Sequence, residues 1–397
     1  MSLPGLPPAS DAAKIIADQD DSQTLLQESG KQTLEQAIAK AREEVDRFDN
    51  IVLNIAISGE SGAGKSSFVN AIRGLKDIDD GAACTGVVQT TRGYSPYPHP
   101  TMPNVTLWDL PGTGEPGFKA NTYLKNVNFQ KYDFFIIVSA TRFRENDIML
   151  AKEIQKKKKN FYFVRSKIDI DVQEEAQKGV TEGQTLQAIQ RDCEKNLREI
   201  KSPHVFLISS RDLNRFDFQK LIETLETDLP ENKRQAFVLS LPVYSQQSLE
   251  KKYKTFKKSV WALAIGSGAV GGIPVPGLSP AFDVAVVVSF LMKCYYSFGL
   301  DDKSLTKLSE RVNKPILDMV KESSLVMAIG SNSFLSTKMA ARLGAAGAIE
   351  TACTFVPVAG NIAAAGISFA VTRSVLHEGL DELYRVAQQV LHMAELE

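Results

Sequence analysis

IVLNIAIS at residues 51–58 runs directly into GESGAGKS at residues 59–66. The first stretch is a short run of aliphatic and β-branched residues, the texture of a buried strand. The second satisfies G-x-x-x-x-G-K-[ST], which requires a strand before it and a helix after it. Gly59, Gly62 and Gly64 let the loop curl so that backbone N–H groups at Glu60, Ser61 and Ala63 can point inward. The helix that begins near Lys65, Ser66 and Ser67 adds its positive end. Such a loop cradles phosphates. Lys65 is expected to reach the β- and γ-phosphates of a nucleotide, and the Ser66 hydroxyl to ligate Mg²⁺. A lysine at the end of a glycine-rich turn has no packing reason to be there.

Four further runs of the same texture follow: NVTLWD, DFFIIVS, NFYFVRS and HVFLISS. Each is bounded by turn residues and separated by helix-like segments, so the pattern is α/β with a mostly parallel sheet. Three segments result. Residues 1–50, Pro-rich for about the first 11, are expected as one or two surface-covering helices. Residues 51–230 form the nucleotide-binding domain, and residues 231–397, with no recurring strand signal, an all-α domain.

The 397 residues are 43% hydrophobic and 23% charged, with a net charge of -1. That composition excludes a disordered or disulfide-stapled chain and gives no global attraction to nucleic acid. The four cysteines and four histidines make no metal-ligand spacing, and a reducing compartment suits them. Neither a secretory signal nor a glycine after Met1 is present, since Ser2 stands there. The chain is therefore expected to be cytoplasmic, not secreted and not N-myristoylated.

The nucleotide is read further downstream. Asp109-Leu110-Pro111-Gly112 is a D-x-x-G at the end of NVTLWD, where the carboxylate can hold Mg²⁺ through water and the Gly112 N–H can sense the γ-phosphate. Ser166-Lys167-Ile168-Asp169 is a variant of the N-K-x-D guanine signature. Asp169 can accept from N1–H and the 2-amino group, donors that guanine has and adenine lacks, while the Lys167 stem can lie over the ring. Ser209 and Ser210 end HVFLISS where a base-capping loop would stand. GTP is thus the expected substrate and GDP the product. Thr85, Thr90 and Thr91 are candidates for a switch threonine on Mg²⁺, the distance from Ser66 favouring Thr85.

With these residues in view, the chain resembles the immunity-related GTPases, the interferon-inducible p47-type GTPases of vertebrates. The likeness runs from about residue 35 to about residue 310. TGVVQTT (85–91), YPHP with MPNVTLWDLPGTG (97–114), YDFFIIVSATRFRENDIMLAKEI (132–154), NFYFVRSKID (160–169), DLPENKRQAFVLSL (228–241) and FGLDDKSL (298–305) carry it. It implies a P-loop GTPase domain packed against a helical domain made from both chain ends. It also implies nucleotide-dependent self-assembly on intracellular membranes in cell-autonomous innate immunity. Lys65 groups the chain with members whose loop reads G-K-S. Where many members have an acidic residue implicated in assembly and hydrolysis, this chain has Gln89.

No water-orienting glutamine follows the D-x-x-G, because Thr113 comes next. A monomer is expected to hydrolyse GTP slowly, and a homo-oligomer formed through the nucleotide face to complete the site with Gln89 or a neighbouring switch residue. Two alternatives remain: a GTP-binding scaffold with negligible turnover, and a dynamin-like membrane-remodelling protein. The latter draws on two Ala/Gly-rich helical hairpins, at 259–292 and 343–372. Their limbs of about 14 residues span roughly 21 Å against a hydrocarbon thickness of about 30 Å, too short to cross. They can be buried in a domain core or dip into a membrane surface, beside the cluster Lys251, Lys252, Lys254, Lys257 and Lys258.

Overall fold

The computed structural model describes residues 51–86, 94–114, 117–201, 203–271, 278–312, 314–316, 320 and 359–396. Residues 1–50, Gln89, Thr90 and Thr91, the Pro274 to Gly277 turn and the first limb of the second hairpin lie outside these. Two units divide the chain, one of them Asp49–Tyr244 and the other holding the helices after Ser245.

The first unit is built on a six-stranded sheet of order β2-β3-β1-β4-β5-β6. Its strands are β1 (Leu53–Gly59), β2 (Ser95–Pro98), β3 (Val105–Asp109), β4 (Phe134–Ser139), β5 (Asn160–Arg165) and β6 (Val205–Leu207). All neighbours pair in parallel except β2, which runs antiparallel to β3. Central β4 is buried at every residue, as a parallel strand covered on both faces must be. Ala56, Phe135, Ile137 and Phe163 point to one face. There they pack with Leu124, Leu150, Ile154 and Leu197 from helices α2 (Ala120–Asn126), α3 (Glu145–Lys156) and the segment after α5 (Glu182–Asn196). Their strand neighbours point the other way. On that side α1 (Lys65–Ile72) and α7 (Glu231–Ser240) lie against β1 and β3, and α6 (Phe218–Asp228) against β6. Helix α4 (Ile168–Ala176) follows β5.

The expected boundary at residue 230 moves to Tyr244, because α7 belongs to the sheet. Phe237 meets Phe134 edge to face at 6.4 Å, and Lys233 pairs with Asp133. The strand β2, absent from the sequence reading, is an edge strand containing Pro96 and Pro98, where a missing N–H is tolerated.

The second unit contains α8 (Gln246–Gly271), α9 (Leu278–Ser297), α10 (Asp302–Val312) and α11 (Ala359–Met393). Tyr253 of α8 stacks on Tyr384 of α11 at 4.3 Å and donates to Asp381 at 2.8 Å. At Gly379 a Cβ would come within 2.7 Å of the Leu291 methyl groups, so glycine permits close approach of α9 and α11. Helices α8 and α9, 26 and 20 residues long, exceed the 14-residue limbs expected because they continue into polar sequence. Among the described residues no helix is long and apolar enough to cross a membrane. The lysine cluster does not form one exposed patch. Lys252 is buried, donates to Ser297 Oγ at 3.1 Å, and has its pKa pushed down to about 7 by burial.

Candidate functional site

The carboxyl ends of β1, β3, β4 and β5 converge, and the loops leaving them carry most of the motif residues, as open α/β sheets arrange their sites. At the end of β1 the chain turns through Gly59 (φ 136), Gly62 (φ 77) and Gly64 (φ 87) into α1. Lys65 is buried and folded back over this loop. Its ammonium donates to the carbonyls of Gly59 at 3.1 Å and Glu60 at 2.9 Å. Desolvation lowers its pKa, while the carboxylates of Asp109, Asp147 and Glu60 act to raise it. A cation is thus held at the floor of the loop by three negative neighbours. Ser67 turns away and donates to Asp77 at 3.1 Å.

The Ser66 hydroxyl donates to Asp109 Oδ2 at 2.6 Å, joining the start of α1 to the end of β3. Asp109 is fully buried. Two hard oxygen donors side by side suit Mg²⁺, which takes one or two protein ligands and fills its shell with phosphate oxygens and water. Gly112 lies so near the phosphate loop that a Cβ there would sit 3.3 Å from the Ser61 nitrogen. Thr85 is exposed on the loop after Ala83.

The segment after β5 is tied to the same loop. Ser166 Oγ donates to the Ala63 carbonyl at 2.6 Å, and Lys167 Nζ to the Gly62 carbonyl at 2.9 Å. Lys167 adopts φ 60, which turns the chain into α4 and puts half-buried Asp169 in that helix's first turn. Below it, Arg165 is buried and holds the turn from both sides, donating to the Ser166 carbonyl and to Asp171, each at 2.6 Å. Ser209 is buried beyond β6 and accepts from the Arg211 N–H at 3.2 Å, with Ser210 half-buried beside it.

Several participants escaped the sequence reading. Tyr123 of α2 donates to the Pro111 carbonyl at 2.9 Å and meets Ser58 Oγ at 3.0 Å, which fixes the D-x-x-G turn to β1. Asn146 donates to the Thr113 carbonyl at 2.6 Å, and the Thr113 hydroxyl to Asp147 at 3.2 Å. Arg144 pairs with Glu60 at 3.3 Å. The start of α3 therefore grips both the phosphate loop and the residue after Gly112. Asp147 also accepts from the Arg144 N–H at 3.0 Å, so one carboxylate caps the start of α3 and holds Thr113.

Burial, opposed by the hydrogen bond from Arg144 N–H, pushes the Asp147 carboxyl from its ordinary 3.8 up to about 6. A raised carboxyl pKa favours the fold most below the unfolded value, and that contribution is lost as pH rises through the folded value. The difference is on the order of 3 kcal/mol. Asp147→Asn, which keeps an acceptor without the charge, is expected to gain stability relative to wild type as pH rises from about 4 to about 6, then hold level. Denaturant midpoints measured across that window check this. A pH-independent difference would show that Asp147 does not titrate there.

The family model described as Interferon-inducible GTPase (IIGP) matches residues 19–369, so the likeness does not stop near residue 310. The rat protein named Interferon-inducible GTPase 5 is 40% identical over 395 residues, covering 98% of this chain and 85% of its own length. The bovine protein of that name is 42% identical over 362 residues, 89% and 78% of the two chains. Mouse Interferon-inducible GTPase 1 is 42% identical over 279 residues, 69% and 67%. A phosphate loop with its lysine, a serine and an aspartate paired at its foot, and this extent of matching sequence lead to one conclusion: the chain belongs to the interferon-inducible GTPase family.

Proposed function

We propose that this chain binds GTP with Mg²⁺ and hydrolyses it to GDP, slowly as a monomer and faster when copies assemble through the nucleotide face. Assembly takes place from the cytoplasm on intracellular membranes, in cell-autonomous innate immunity. The observation that carries the reading is the Ser66–Asp109 pair at 2.6 Å beside the buried Lys65. On GTP binding, Lys65 exchanges the Gly59 and Glu60 carbonyls for phosphate oxygens, and the loop N–H groups close on the remainder. Ser66, Asp109 and Thr85 would hold Mg²⁺, which would supply positive charge against the phosphates. Lys167 and Asp169, capped by Ser209 and Ser210, take the base.

Thr113 supports slow monomeric turnover. It stands where a water-orienting side chain would, yet it is fully buried with its hydroxyl committed to Asp147. A second copy completes the site, with Gln89 or a neighbouring switch residue acting on its own subunit or on its partner. The same observation favours a second reading, a GTP-binding scaffold with negligible turnover. Phosphate release measured across a wide range of protein concentration separates the two. Specific activity is expected to rise with concentration; flat, near-zero turnover despite tight GTP binding would establish the scaffold.

A further inference from the structure

Ser166 departs from the asparagine of the N-K-x-D signature, and its contacts give that departure a consequence. The side chain is 1% exposed. Its hydroxyl lies 2.6 Å from the Ala63 carbonyl and 3.3 Å from the Ser139 carbonyl, both acceptors. A serine hydroxyl has one proton. At 2.6 Å that proton belongs to Ala63, in the middle of the phosphate loop. Next to it, the Lys167 ammonium donates to Gly62 of the same loop. The one Ser166 proton and one of the three Lys167 ammonium protons are thus directed at phosphate-loop carbonyls, and Asp169, an acceptor, is the remaining group.

Guanine shows acceptors at N7 and O6, and N7 can be read only by a donor. We propose that this chain reads guanine by its N1–H and 2-amino edge through Asp169, leaves N7 unread, and uses Ser166 as a strut between the base segment and the phosphate loop. The inference rests on the GTP-binding reading above and deepens it. Replacing N7 by a C–H group removes an acceptor that nothing donates to, so it costs no hydrogen bond. Removing the 2-amino group deprives the half-buried Asp169 carboxylate of a donor and is costly. Ser166 is a positioning residue. Its loss should loosen the base segment for every guanine nucleotide alike.

The test is displacement of a fluorescent GDP analogue from the full chain by GDP, 7-deaza-GDP, inosine diphosphate and ADP. The 7-deaza compound is expected to compete within about twofold of GDP, and inosine diphosphate about tenfold more weakly, the size of one lost hydrogen bond to a charged group. Intact preference for GDP over ADP with a tenfold loss for 7-deaza-GDP would overturn this inference alone. Absence of any preference for GDP over ADP would overturn the guanine reading and this inference with it. Ser166→Ala is expected to weaken GDP and 7-deaza-GDP by the same factor. A variant that loses affinity for GDP but not for 7-deaza-GDP would identify Ser166 as the N7 donor and overturn the proposal. Should Ser166→Ala fail to fold, the wild-type ratio decides by itself.

Discussion

Lys65→Ala is expected to weaken GTP binding by at least about 100-fold and to bring phosphate release to background. Each charge-assisted hydrogen bond is worth roughly 1.5 to 3 kcal/mol, and an ammonium between two phosphates makes two of them. The structure makes the loss larger than this count. Asp109 and Asp147 are buried nearby, and with Glu60 they favour the charged lysine. Without Lys65 the incoming triphosphate meets those carboxylates with no cation of the loop to offset them. The fold should survive, because the two bonds lost go to the loop carbonyls of Gly59 and Glu60, which the open loop can hydrate. Lys65→Arg serves as the control that separates charge from shape, since a planar guanidinium does not fit where an ammonium folds back over the loop. The measurement is titration of a fluorescent GTP analogue beside a thermal melt. A melt within a few degrees of wild type with unchanged affinity would remove Lys65 from the site.

The difference between what the sequence disclosed and what it concealed follows from how each feature is made. The phosphate loop, Asp109 and the run from Ser166 to Asp169 are linear motifs, each at the end of an apolar strand, and local texture locates them. The five parallel strands were legible for the same reason. Edge strand β2 was hidden because SPYP reads as a loop, and only its pairing with β3 makes it a strand. Helix α7 was assigned to the wrong unit because its sequence declares a helix but not the surface it covers. Tyr123, Asn146 and Asp147 belong to the site through contacts across 12 to 34 residues of chain, and no spacing rule anticipates those. Ser166 lies between the two cases. In the sequence it blunts a signature; in the structure its bond to Ala63 spans 103 residues and turns the departure into a strut.

Gly59→Ala is expected to be the most destabilising single-methyl change in the nucleotide-binding unit. Gly59 ends β1, pairs with Val138 of β4, and has φ 136, a backbone region that side-chain-bearing residues rarely adopt. A Cβ built there would lie 2.0 Å from the Val138 carbonyl oxygen and 3.0 Å from its carbon. Both are backbone atoms of a strand buried along its whole length, so no rotamer change relieves the clash. The two central strands would have to part at the end that carries the site. Backbone strain of about 1 to 3 kcal/mol and overpacking of similar size give a loss of roughly 2 to 6 kcal/mol. For a unit of this size that corresponds to a melting temperature lower by about 5 to 25 °C. Gly62→Ala is the comparison that isolates the cause. Gly62 also has positive φ, at 77, but nothing lies within 4 Å of its Cβ position. That variant should show the backbone term alone, a few degrees at most. The Gly59 carbonyl also accepts from Lys65 and from the Thr113 N–H at 3.3 Å, so parting the strands moves the lysine and the D-x-x-G turn together. Nucleotide affinity should therefore fall in Gly59→Ala even at temperatures where it remains folded. Equal melting temperatures for the two variants would mean that β1 and β4 separate at little cost, and that the close approach at Gly59 does not hold the site together.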